Sequence, residues 1–248
     1  MFHLYFFRDY MWQLLTILAV AILSGIASAR VHRVFKKYDG VPCRSGISGH
    51  EAAVSLLRSE GAGDIRVEKV AGELSDHYHP KNAVVNLSES TYSSKSVSAV
   101  AVAAHEIGHV MQNKSGYFLY NVRTALVPAV NIGSRLAFPL VLIGLLLDAF
   151  VTLSDPDTGF FVAMIGVALY ASSLLFSLVT LPVELDASRR AVRMLTQNRI
   201  ISEEETPAAR KVLRAAAFTY LVSVIASAVY LLRFFIYVLA IFGRSGRR

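Results

Sequence analysis

Four long apolar runs punctuate this chain, separated by segments rich in charge. They cover residues 11–29, residues 136–147 with 126–131 extending them backwards, residues 159–183, and residues 215–243. The third holds no charge in 25 residues, and the fourth is broken only by Arg233. At about 1.5 Å per helical residue, roughly 20 residues cross a bilayer, so the pattern predicts membrane helices. Residues 38–96 are polar and read as a water-soluble fold. Ser48 or Ser45 is placed to cap a helix through Glu51, Ala52, Val54, Leu56 and Leu57, ended by Gly61 and Gly63. Ile65 and Val67 alternate in a strand over 64–70, and a second strand follows over 83–88 after a turn at Pro80 and Asn82. Ser93, Ser94 or Ser96 then starts a helix over 97–112, ended by Gly116 or by Asn113 and Lys114.

Composition sharpens this picture. Hydrophobic residues make up 54% of 248. Folding the runs into a water-soluble core would leave too little polar surface to cover them, which argues for lipid as their solvent. Ala27-Ser28-Ala29 resembles a signal-peptidase site. The basic cluster Arg30, Arg33, Lys36 and Lys37 directly after it favours an uncleaved anchor.

Charge then orients the segments. Residues 30–123 carry twelve Lys/Arg and residues 184–214 carry seven, whereas the loop with Asp148, Asp155 and Asp157 has none. Basic flanks stay in the cytoplasm, so the expected order is as follows. Residues 1–29 form an anchor and 30–125 a cytoplasmic domain. Residues 126–183 form two membrane helices joined by an acidic external loop, 184–214 a cytoplasmic helical segment, and 215–248 a membrane helix or a hairpin around Arg233. The net charge of +7 is thereby assigned to membrane flanks. No aromatic-interleaved basic patch points to nucleic acid. Cys43 is the single cysteine, which excludes an intrachain disulfide and a cysteine-based zinc site.

The helix over 97–112 carries the chemistry. It contains His105-Glu106-Ile107-Gly108-His109, an H-E-x-x-H pattern. Histidines four apart share a helix face and can reach one cation, and zinc accepts such nitrogens while keeping a position open for water. Glu106 stands where a general base for that water is needed. The pattern arises by chance in about one chain in a hundred of this length, so context decides. Here the helix is predicted without it. Gly108 costs about 1 kcal/mol in a helix interior, which implies a close approach to its backbone. A third protein ligand is required. The candidates are His77, His79, His50 with Glu51, Glu184 and Asp186; Glu184, at the cytoplasmic end of the third apolar run, is placed best.

Two sets of residues carry a family resemblance. His105 to His109, followed at distance by Glu184, Ala187 and Ala191 (E-x-x-A-x-x-x-A), resembles the gluzincin pattern of HtpX-like membrane peptidases. A closer similarity is to the YugP family of zinc metallopeptidases of bacterial membranes. It rests on Phe35-Lys36-Lys37-Tyr38 with Val41-Pro42, on Gly72 to Tyr78, on Ala104 to His109 with Gln112, and on Leu181 to Glu184 with Ala187 to Ala191. The resemblance implies Zn2+ held by His105, His109 and Glu184, with Glu106 as base. It implies a mainly α-helical integral membrane protein whose small α+β zincin-like insert carries the H-E-x-x-H helix. A bacterial cytoplasmic membrane is implied too, with the active site on the cytoplasmic side. One position departs: HtpX-like peptidases usually carry an aspartate where this chain has Ser188, and Asp186 is displaced from it by about 200° around the helix.

The expected function is hydrolysis of unfolded or membrane-protein segments at the cytoplasmic surface, with polypeptide and membrane lipid as partners. The strand over 83–88 is a candidate to pair with an extended substrate. His77 is a candidate to stabilise the oxyanion, and Arg189 and Arg190 to meet lipid phosphates. Two alternatives fit less well. A site-two-type intramembrane protease would carry a Leu-Asp-Gly ligand signature, of which Leu185-Asp186-Ala187 and Leu147-Asp148-Ala149 are partial echoes. A non-catalytic zinc scaffold or chaperone-like protein would close all four zinc positions with protein ligands and has no use for Glu106.

Overall fold

Ser48 caps helix α2 (Gly49–Ser59) in a full capping box: its side chain accepts the Glu51 N–H and the Glu51 carboxylate accepts the Ser48 N–H. The computed structural model describes residues 2–151 and 158–245. In chain order its elements open with α1 (Phe2–Asp39), α2, β1 (Arg66–Val70) and β2 (His77–His79). They continue with β3 (Val84–Ser88), α3 (Glu89–Tyr92), α4 (Val97–Lys114), α5 (Phe118–Val151), α6 (Thr158–Gln197) and α7 (Thr206–Ser245). Two units result, one of Met1–Tyr117 with Val183–Val222 and one of Phe118–Pro182 with Ser223–Arg248.

In the first unit a three-stranded sheet runs in the order β1-β3-β2, with β1 parallel and β2 antiparallel to the central strand. This corrects the expectation for residues 83–88. Both edges of β3 are already paired, so an added strand must use an outer one. β2 is such an edge, and the sequence pattern does not reveal it. Val85 and Leu87 of β3 join Leu56 and Leu57 of α2, Ile107 of α4 and Leu195 of α6 in one core. The start of α4 is held from two sides. Ser96 caps the Ala99 N–H, and Asp39 at the end of α1 accepts hydrogen bonds from Ser94 Oγ and Ser96 Oγ, both at 2.7 Å. A carboxylate there also faces the positive end of the helix dipole.

The second unit is built from α5 and the apolar lengths of α6 and α7. Glycines let α5 and α6 touch: a Cβ on Gly133 would lie 2.7 Å from the Leu169 carbonyl oxygen, and one on Gly166 would lie 2.6 Å from that of Ala137. Large apolar side chains such as Phe138, Leu142, Phe161 and Ile165 remain exposed. Among the described residues, four helices are long and apolar enough to cross a membrane: Leu14–Asp39, Phe118–Leu147, Thr158–Gln197 and Thr206–Ala240. Each extends beyond the apolar run that announces it. α7 continues straight through Arg233, so the hairpin alternative does not occur. Asp155 and Asp157 of the acidic loop and Arg247 and Arg248 of the tail lie outside the described residues.

Candidate metal centre

α4 presents His105 and His109 one turn apart, their rings at right angles with centroids 4.8 Å apart. α6 brings Glu184 to them, two residues after Pro182. The approach is close because neither helix carries bulk at the crossing. Ala187 and Ala191 are fully buried, and Gly108 lies directly against the Ala187 backbone. Glu184 Oε2 stands 3.1 Å from His105 Nε2 and 3.5 Å from His109 Nε2, and the three groups offer ligand atoms all within 4.8 Å of one another.

Zinc fits this donor set. Tetrahedral ligands at 2.0–2.1 Å from zinc lie about 3.3 Å from each other, a spacing bracketed by the two His–Glu distances. Glu184 is 1% exposed, and a carboxylate so deeply buried is costly without a compensating cation. Two imidazoles and one carboxylate are also the set that leaves a fourth position for water.

The proton positions agree. Gln112 Nε2 donates to the Val183 carbonyl and to Asp186 Oδ2, both at 2.8 Å, and both groups only accept. That fixes the amide, so Gln112 Oε1 faces His109 Nδ1 at 2.9 Å and must receive its proton. His109 therefore carries hydrogen on Nδ1 and turns the Nε2 lone pair toward the site. Asp186 is itself held by Arg190 Nε at 2.6 Å, and the Arg190 guanidinium lies 5.7 Å from the Tyr117 ring centre. His105 has a weaker support, the Ser188 hydroxyl 3.3 Å from Nδ1. Asp186 thus does not replace the missing aspartate at position 188; it serves the other histidine, through Gln112.

Glu106 is buried beside the cluster without belonging to it. Burial pushes its carboxyl up to about 7; His105 opposes the shift, while Glu184 and Asp76 add to it. The backbone of Tyr78 in β2 also opposes the shift. The side chain of Tyr78 packs on the core and accepts a hydrogen bond from Asn113 of α4 at 3.1 Å.

The other candidate residues are engaged elsewhere. Strand alternation sends His77 to the sheet face opposite Tyr78, where its ring meets the Ser75 carbonyl at 2.8 Å and Asn86 Nδ2 at 3.1 Å. His79 accepts the Asn82 N–H in a turn, His50 stacks on Tyr92, and Glu51 serves the cap of α2. Gln112 and Tyr78 are the contributors that sequence reasoning did not assign. Gln112 sits three residues after His109, where a helix places side chains together; Tyr78 has no local signal.

Two histidines and a glutamate gathered around one point could hold a metal ion, with a second glutamate at their side. The chain belongs to the family described as "Putative neutral zinc metallopeptidase", whose model matches residues 13–239. It is 39% identical over 220 residues to "Putative membrane protease YugP" of Bacillus subtilis (strain 168), covering 89% of this chain and 93% of that protein. The comparison with solved structures gives no match.

Proposed function

We propose that this chain is a membrane-embedded zinc endopeptidase that cleaves unfolded or membrane-protein segments at the cytoplasmic surface. The observation that carries the reading is the convergence of His105, His109 and Glu184, with Glu106 beside them and not among the ligands. A structural zinc site has no need of a buried second carboxylate at that place. In this reading residues 30–117 and 183–214 form a zincin-like peptidase domain outside the bilayer, and the four apolar helices anchor it.

Bound there, zinc supplies a Lewis acid for the peptide carbonyl and lowers the pKa of a water molecule. Glu106 would serve as the base, taking up a proton from the attacking water and giving it to the leaving amine. Gln112 and Ser188 hold the two imidazoles in their orientations. β2 is an edge strand whose Tyr78 backbone acts on Glu106, so an extended polypeptide laid along that edge would bring its carbonyls toward the base.

Charge supports the sidedness. In this reading the segments with twelve and seven basic residues, 30–123 and 184–214, lie on the cytoplasmic side. The site-two alternative is not favoured, because α4 is buried between α2, α1 and the sheet and is not among the helices apolar enough to span.

The test is cleavage of an unfolded protein by the full chain in detergent, before and after chelation and zinc addition. Loss and recovery of cleavage are expected. Cleavage that survives complete removal of metal would contradict the proposal.

A further inference from the structure

Between the last turns of α6 and the first turns of α7 lies a cleft of about 420 Å³. Arg189 and Arg193 line it from α6, Arg210 and Arg214 from α7. Each pair is spaced four apart, so its guanidiniums share one helix face, and like charges in that arrangement repel. No carboxylate lines the cleft, and among the described residues none of the four arginines has an ion-pair partner. Arg190, one residue away, shows the contrast, being neutralised by Asp186.

Four arginines lining one cleft without an acid offer a receptor for an anion. Their planar forks match phosphate oxygens two at a time. The same cleft has apolar walls in Leu185, Val192, Leu213 and Ala217, which a free phosphate would leave unused. Exposed Leu221 lies one turn beyond Ala217 on α7, and both helices are long and apolar enough to cross a membrane. We propose that this cleft binds the phosphate headgroup of an anionic phospholipid, with the glycerol and upper acyl chain against the apolar walls. A zwitterionic headgroup would place a second positive charge among the arginines, so anionic lipid is selected. The occupant lies next to the metal centre, because Ser188 lines the cleft and contacts His105.

Native mass spectrometry of the full chain, released from detergent with equal amounts of phosphatidylglycerol and phosphatidylcholine, tests this. Wild type is expected to retain phosphatidylglycerol about tenfold over phosphatidylcholine. Arg193→Gln with Arg214→Gln should abolish the preference. Ala217→Phe, which fills the cleft and keeps every charge, should abolish it too. Lys36→Gln with Lys37→Gln, at the basic end of α1, should leave it intact. Unchanged zinc content in each variant shows that the fold is retained. No preference in wild type, or a preference that survives both cleft variants, would overturn the proposal. Displacement of the lipid by millimolar inorganic phosphate would overturn the lipid assignment in favour of a free anion.

Discussion

Gly108 on α4 and Ala187 on α6 meet so closely that a Cβ at position 108 would sit 2.6 Å from the Ala187 carbonyl oxygen. That atom belongs to backbone and cannot swing aside. The crossing sets how near Glu184, three residues before Ala187, comes to His105 and His109, which flank Gly108. Gly108→Ala would favour α4 by about 1 kcal/mol in helix propensity. Forcing the helices apart costs typically 1–3 kcal/mol, so the net effect is expected to be destabilising. Zinc affinity should fall at least tenfold, read by competition with a chromophoric chelator. A variant that binds zinc as wild type does would show that the crossing is not what sets the ligand spacing.

Gln112 fixes the His109 tautomer, so its loss is expected to weaken zinc without moving a ligand. Gln112→Ala should cost roughly 10–100-fold in zinc affinity. Asp186→Ala should cost less, because the Val183 carbonyl still holds the amide. Ser188→Ala should cost least, since its contact with His105 is 3.3 Å and uncharged. Calorimetric zinc titration of the three variants checks this order, and an equal loss in all three would argue against it.

The capping box at α2 makes a prediction about stability alone. Ser48→Ala is expected to lower it by about 1 kcal/mol. The backbone and side chain of Ser48 hold the Glu51 carboxyl below its ordinary range. A depressed folded value means that this contribution is present above the unfolded pKa and is lost as pH falls through the folded one. The stability gap between wild type and Ser48→Ala should therefore be full at neutral pH and narrow under acid conditions, as read by denaturant unfolding. A gap that widens as pH falls would contradict the cap.

How far the chain could be read from sequence follows from how local each signal is. α2 and α4 begin at Ser48 and Ser96 because capping is written within three residues of the helix start. The H-E-x-x-H spacing is equally local, and Gly108 announced a close approach without naming Ala187 as its partner. β2 escaped because three residues, two of them histidines, have no apolar alternation; pairing with β3 makes them a strand. The path from Asp186 through Gln112 to His109 escaped because it joins residues 74 apart in sequence. α6 runs past its apolar length to Gln197, and that continuation both delivers Glu184 and builds the arginine cleft. Polar residues after a membrane run carry no mark of whether the helix stops there.

The most direct test compares purified wild type with Glu106→Gln in detergent, measuring bound zinc and cleavage of an unfolded protein in the same samples. Glu106 is not among the three groups placed to hold a metal, so both proteins are expected to hold one zinc, with cleavage at least about a hundredfold slower in the variant. Equal cleavage by the two would contradict the role of Glu106 as base. Loss of zinc from the variant would contradict its place outside the ligand set.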